Sequence, residues 1–226
     1  MSNRDALKRE AAAQAADLVQ DGMVVGLGTG STAAFFIEVL IARRPDIVCI
    51  PTSERSGAQA GAGGLRLVGF NTHTSIDLCV DGADEIAIGS LDLVKGLGGA
   101  LLREKIVASA AKRLVIIADA DKLVERLGTR SPVPVEVTPF GWELTCARLA
   151  ALAGAAQQRC LPDGSAFVTD GGNYIVDCAI APAADASELD ADMRQIVGVV
   201  ETGFFICMAS LALVAGPGGV TRYTPR

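Results

Sequence analysis

Short apolar runs at residues 23–26, 47–50, 65–68, 76–80 and 114–118, broken only by Arg66 and Asp77, alternate with stretches that carry helical spacing. A strand with only apolar residues is buried on both faces. Such strands separated by helices describe a parallel sheet covered on both sides. The first helix is expected from a cap at Ser2 or Asn3 through Ala6, Leu7, Ala11, Ala15 and Leu18, ending before Asp21-Gly22. Further helices are expected over 31–41 and from the glycine turn 95–99 to about residue 111.

The pattern changes after Arg130. Ser131-Pro-Val-Pro134 cannot continue a helix and suits a linker or an edge strand. Beyond it the spacing predicts a helix over 142–153, strands over 166–169 and 174–178, a helix over 187–196 and a strand over 199–202, which together describe a small α+β unit. The alanine-rich stretches 11–16 and 147–156 read as helix formers. The apolar run 204–215 is too short to cross a bilayer and reads as buried core.

Composition excludes several classes of function. The net charge is 20 − 26 = −6, and an acidic surface does not suit nucleic acid, whose binding requires a basic face. The six cysteines include no Cys-x-x-Cys pair and read as buried thiols. A single histidine with no ligand spacing around it argues against zinc. Arg4, Asp5, Lys8, Arg9 and Glu10 leave no apolar core for a signal peptide, so a cytoplasmic protein without membrane association is expected.

Ligands of open parallel sheets bind outside the carboxyl ends of the strands. Four loops at those ends carry chemistry: Gly28-Thr29-Gly30-Ser31-Thr32, Thr52-Ser53, Asp81-Gly82-Ala83-Asp84 and Lys95-Gly96-Leu97-Gly98-Gly99. The first offers amides, hydroxyls and a helix N-terminus to an anion, or is simply a tight turn with a polar cap. It is no P-loop, because no lysine follows. In Gly26-x-Gly28-x-Gly30 the third glycine comes one residue early for a dinucleotide fingerprint, and no acid ends the second strand, which weakens an NAD-dependent dehydrogenase reading. A compact phosphate monoester fits the loop better than a pyrophosphate.

Asp81, Asp84 and Glu85 crowd three carboxylates into five residues, which suits an Asx turn, a helix cap or a site facing a cation. Calcium-loop spacing is absent. In the following helix Arg103, Glu104 and Lys105 sweep about 200°, so they cannot all face water if the helix is covered. Glu104 shares an apolar stripe with Ala100, Leu101, Val107 and Ala108. It is either salt-bridged, with Lys112 or an arginine as partner, or desolvated beside the Lys95 turn as a general base.

The strings VVGLGTGSTAA, VDGADEI, KGLGGALLREKI, IADADKLV, PVPVEV and VTDGGNYIVD closely resemble the type A ribose-5-phosphate isomerase family, from about Leu18 to Gly203, with the tail beyond matching poorly. The resemblance implies a Rossmann-like parallel-sheet domain (1–130 and 206–226) covered by helices on both faces. It adds a smaller α+β, ferredoxin-like domain (131–205) for the lid and oligomer contacts. It implies interconversion of D-ribose 5-phosphate and D-ribulose 5-phosphate in the non-oxidative pentose phosphate pathway, without metal or cofactor, in a homodimer or dimer of dimers. Glu104 is implied as the proton-transferring base, with Asp81, Asp84 and Lys95 around the reacting end of the sugar phosphate. Thr29, Gly30, Ser31, Thr32, Gly82, Ala83, Gly96, Leu97, Gly98 and Lys122 are implied as substrate contacts, Lys122 toward the phosphate. Leu97 stands where the family often has glycine.

In this reading Lys95 with the Gly98 and Gly99 amides stabilises an enediolate oxyanion. Asp81 assists ring opening, and Asp84 holds hydroxyls or positions Lys95. A non-catalytic sugar-phosphate sensor on the same sheet rim is the alternative, although the chain has no spare basic segment for reading DNA.

Overall fold

The computed structural model describes residues 3–181 and 185–226. In chain order the first elements are α1 (Asn3–Ala16), β1 (Val24–Leu27), α2 (Ser31–Arg43), β2 (Val48–Pro51), α3 (Glu54–Ala62), β3 (Arg66–Leu67), β4 (Leu78–Asp81), β5 (Glu85–Ala87), β6 (Leu93–Val94), α4 (Leu101–Ser109) and β7 (Leu114–Asp119). There follow β8 (Leu123–Val124), β9 (Val133–Val137), α5 (Trp142–Ala153), β10 (Ala155–Gln158), β11 (Tyr174–Ala179), α6 (Ala186–Arg194), β12 (Val199–Thr202), β13 (Phe204–Phe205), β14 (Ala209–Gly216) and β15 (Gly219–Tyr223). The cap expected at Ser2 lies outside the described residues, and Asn3 is already helical.

A seven-stranded sheet runs β15-β14-β7-β4-β1-β2-β3, parallel throughout except for the terminal hairpin β14–β15. Its strands are buried on both faces because their side chains alternate. On β7, Val115 and Ile117 join the core under α1 and α2, while Leu114, Ile116 and Ala118 point to the opposite core. Ala11, Ala12, Ala15 and Ala16 let α1 approach the sheet closely beside Phe36, Ile37 and Leu40 of α2. The other face is covered by α4 together with a small sheet, β13-β6-β5-β8. That sheet gave no signal in the sequence, since none of its strands exceeds three residues.

A second antiparallel sheet, β10-β11-β9-β12, packs against α5 and α6 around a third core that includes Val133, Val135, Val137, Leu149, Val176, Leu189 and Met193. Two expectations are corrected here. Residues 131–134 are no linker or edge: Pro134 lies in β9, between β11 and β12. The N–H and C=O of one strand residue face the same neighbour. The Pro134 carbonyl takes the Gly203 N–H at 2.7 Å, so the missing N–H faces the end of β12 and costs β11 nothing. The alanine-rich run does not stay helical either. Gly154, at φ 102°, ends α5, and Ala155–Gln158 pairs with β11. The strand expected at 166–169 is reduced to isolated bridges, Cys160 with Ala166 and Val168 with Tyr174.

Gly203 joins the two regions at close quarters. A Cβ there would stand 2.4 Å from the Lys95 carbonyl oxygen and 2.8 Å from that of Pro134, and neither backbone can yield. We expect Gly203→Ala to cost about 2–3 kcal/mol in denaturant unfolding. Gly218→Ala, with open space around it, should stay within about 0.5 kcal/mol of the parent.

Candidate active site

The carboxyl ends of β1 and β4 come together because Gly28 has no side chain: a Cβ there would lie 2.1 Å from Asp81 Oδ1. That oxygen accepts the Thr29 N–H at 3.0 Å and the Gly82 N–H at 2.7 Å. Asp81 Oδ2 lies 3.0 Å from Lys95 Nζ, which also donates to the Gly82 carbonyl at 2.7 Å. The same ammonium stands 3.3 Å from Glu104 Oε2, presented from the first turn of α4. Asp81, Lys95 and Glu104 are 1 %, 2 % and 3 % exposed. Bulk water therefore does little to stabilise any of their charges.

The two carboxylates are not equivalent. Asp81 has three donors, whereas Glu104 Oε2 accepts no aligned hydrogen bond among the described residues. Burial pushes the Glu104 carboxyl up to about 8 against the pull of Lys95, with Asp81 repelling it further. Burial raises Asp81 as well, opposed by Lys95 and by the two amides. Burial alone would lower Lys95, but Asp81 and Glu104 hold it above its ordinary value. Two neighbouring acids in unlike surroundings are the arrangement that separates a proton carrier from a fixed charge.

The three charges on α4 separate as helical geometry requires. Arg103 meets Glu54 at 2.7 Å, Glu104 turns inward, and Lys105 reaches Glu201 at 2.9 Å and the Thr202 carbonyl at 2.8 Å. Lys112, considered as a partner for Glu104, pairs with Asp77 instead. The acidic loop separates likewise. Asp84 Oδ2 accepts the Leu97 N–H at 2.9 Å, while Glu85 is buried and receives the Gly128, Arg130 and Ser131 amides.

A cavity of about 160 Å³ opens between these groups. Glu104, Lys95, Asp84 and Gly98 stand on its wall with Gly82, Ala83 and Gly96, and so do Thr29, Gly30, Ser31, Thr32 and Lys122. Two of the expected contacts are not part of that wall. The Asp81 carboxylate sits behind it, consumed by Lys95 and the amides, and the Leu97 side chain is exposed. The Gly99 N–H, expected as an oxyanion donor, is already given to the Gly96 carbonyl at 2.9 Å. The Thr29 hydroxyl is tied to Thr52 and Ser53, each at 2.7 Å.

Sequence reasoning missed Arg4, Lys8 and Asp119, which also line the cavity. Lys8 donates to Ser31 Oγ at 2.9 Å, and Arg4 pairs with Asp119 and Asp121. The i,i+4 spacing of Arg4 and Lys8, away from the buried alanines of α1, was the available signal. Helix α2 begins at Gly30 (φ 118°) with no side-chain cap, which leaves its first amides for a ligand and removes the polar-cap reading of this loop. The cavity wall thus carries Lys8 bonded to Ser31, together with Thr32 and Lys122, as well as Glu104 beside Lys95.

Residues 48–219 match the family model described as ribose 5-phosphate isomerase A (phosphoriboisomerase A). A ribose-5-phosphate isomerase A of Gloeobacter violaceus is 54 % identical over 224 residues, 98 % of this chain and 97 % of that protein. Among solved structures, ribose 5-phosphate isomerase A of Methanocaldococcus jannaschii superposes with a TM-score of 0.93 at 38 % identity, covering 99 % of this chain and all of that one. A D-ribose-5-phosphate isomerase in complex with phospho-erythronic acid superposes at 0.94 with 34 % identity, again over 99 % and 100 % of the two chains. The likeness therefore continues past Gly203, where the motifs alone showed a poor match.

A carboxyl with a raised pKa makes the folded state hold an extra proton between the ordinary glutamate value, 4.5, and about 8, so its contribution to stability falls as pH rises through that window. Replacing Glu104 by Gln removes this penalty. We expect Glu104→Gln to raise the thermal midpoint more at about pH 9 than at about pH 5, measured by calorimetry. A pH-independent difference would show that Glu104 titrates as an ordinary glutamate.

Proposed function

This chain belongs to the ribose 5-phosphate isomerase A family, and on that premise we propose that it interconverts D-ribose 5-phosphate and D-ribulose 5-phosphate in the cavity between Glu104 and Lys122. The observation that carries the reading is the Glu104 carboxylate: buried, short of hydrogen bonds and 3.3 Å from a lysine on the cavity wall. Aldose–ketose interconversion needs one base that removes the proton from carbon 2 of the open-chain sugar and returns it to carbon 1. As the C2–H pair becomes the C1=C2 double bond, charge builds on the carbonyl oxygen. Lys95 and the Gly98 amide stand where that charge would be met. Glu104 accepts the C2 proton and delivers it to C1 on the same face, while the O2 hydroxyl proton passes to the O1 oxyanion as the C2=O bond forms, so no second base is required at carbon. A sensor would have no use for so costly a buried acid.

The roles of the two aspartates exchange relative to the sequence reading. Asp84, on the wall, is placed to exchange a proton with a sugar hydroxyl during ring opening, and Asp81, behind it, anchors Lys95. The phosphate is assigned to Ser31, Thr32, Lys122 and Lys8 at the start of α2, where amide donors and the helix dipole favour an anion. That another family structure holds phospho-erythronic acid supports a sugar-phosphate ligand of this kind.

The same reading divides the chain into a sheet domain of 1–130 with 206–226 and a smaller domain of 131–205. It makes the protein a homodimer or a dimer of dimers. Phe140, Leu144 and Val197, 96 %, 58 % and 82 % exposed on the smaller unit, are the apolar surface a subunit contact would cover. Among the described residues no helix is long and apolar enough to cross a membrane, and we assign the enzyme to the cytoplasm.

Glu104→Gln should retain substrate binding while turnover falls by at least about a hundredfold in a coupled assay. Turnover near the parent value would exclude Glu104 as the base. Thr32→Ala should raise KM about tenfold through a lost charge-assisted hydrogen bond and leave kcat within about threefold. Unchanged KM with a collapsed rate would show that the anion lies elsewhere.

A further inference from the structure

The loop from Lys95 to Gly99 carries the reacting-end donors yet belongs to no helix or strand. Gly96 and Gly99 hold φ values of 105° and 76°, outside the range favoured by other residues. From the cavity side the loop is held by Asp84, which takes the Leu97 N–H at 2.9 Å. From the other side it is held by a residue more than 60 positions away. Arg159, just beyond β10, donates from Nη1 to the Gly96 carbonyl at 2.9 Å and to the Leu97 carbonyl at 3.0 Å.

Arg159 is itself fixed. Asp177 on β11 takes its Nε–H at 2.9 Å and its Nη2–H alongside, so the guanidinium plane is set by a two-point contact. Its Cζ lies 5.8 Å from the centre of the Phe167 ring. That ring in turn fills the space a side chain at Gly99 would need, 2.3 Å from the position of its Cβ. The Arg159 side chain is 14 % exposed, so water competes little for these contacts.

In a trans peptide the C=O and N–H point in opposite directions, and no described peptide is cis. Two successive carbonyls turned toward Arg159 therefore turn two successive N–H groups away from it. The first, on Leu97, is taken by Asp84; the second belongs to Gly98, on the cavity wall. Successive amides on one side form a concavity suited to an anion, and a cation on their carbonyl ends strengthens them as donors.

We propose that Arg159 is a positioning residue for the isomerisation: from the second sheet it fixes the peptides of Gly96 and Leu97 so that the Gly98 N–H faces the oxygen that becomes negative. This rests on the reading of the cavity given above. Lysine cannot take its place, because a point charge on a flexible stem cannot bind Asp177 at two points and both carbonyls together.

The test compares Arg159→Lys and Asp177→Asn with the parent in steady-state kinetics, in inhibition by phospho-erythronic acid and in circular dichroism of the folded fraction. We expect kcat to fall about tenfold to a hundredfold with KM within about threefold. We expect the inhibitor, whose carboxylate offers its charge to the same amide, to weaken by the factor lost in kcat/KM. Added guanidinium should restore part of the rate to Arg159→Ala. Turnover within about twofold of the parent in both variants overturns the proposal, as does a loss that only follows the folded fraction and that guanidinium leaves unrepaired. Surviving turnover in Glu104→Gln would instead remove the reading beneath it, so the two failures are distinct.

Discussion

The Lys95 ammonium lies 3.0 Å from Asp81 and 3.3 Å from Glu104 where almost no solvent reaches, and the surrounding backbone is built around that shared charge. One positive charge cannot neutralise two negative ones. With both acids ionised the cluster would carry an uncompensated charge in a low-dielectric place, where breaking a buried pair costs about 3–5 kcal/mol. The molecule resolves the conflict by unequal hydrogen bonding. Asp81 receives two amides from the ends of β1 and β4, and Glu104 Oε2 is left without an aligned donor among the described residues. The bare Gly28, the glycine turn after Lys95 and the apolar stripe of α4 are each conditions for that asymmetry.

The fold places this cluster where three independent supports converge. The parallel sheet supplies the strand ends and the α2 amides. The small sheet on its second face holds Asp84 and Glu85, with Glu85 drawing in the turn that precedes β9. The second sheet reaches back through Arg159, Phe167 and Asp170, the last accepting the Glu54 N–H at 2.8 Å and meeting Arg103 on α4. Phe205 lies under both Lys95 and Lys105, 5.3 Å and 4.9 Å from their ammonium groups, and so separates the ammonium on the cavity wall from the one paired with Glu201. The geometry of the cavity is thus held by the whole chain and not by one loop.

Much of this was legible before any coordinates. Apolar runs buried on both faces announced β1, β2, β4 and β7, and the polar strand ends announced the cavity, because both follow from local chemistry. The position of Glu104 could be read from its stripe on α4. What escaped reading depends on partners distant in the chain. Pro134 is interior only because β12 ends opposite its missing N–H. Ala155–Gln158 is a strand only because β11 pairs with it, against the helical preference of its neighbours. Lys8 joins the cavity because α1 packs on the sheet at one particular angle, and Asp81 withdraws behind Lys95 because Gly28 lets it. Spacing along the chain carries none of these.

The most direct measurement is titration of the Glu104 carboxyl itself, by carbon-13 NMR of δ-labelled glutamate assigned with a Glu104 variant. The account predicts one resonance titrating near 8, well separated from the ordinary glutamates. A Glu104 signal that titrates near 4.5 would mean that Lys95 offsets burial and holds the carboxylate ionised at neutral pH, and the proton carrier with a raised pKa would not exist.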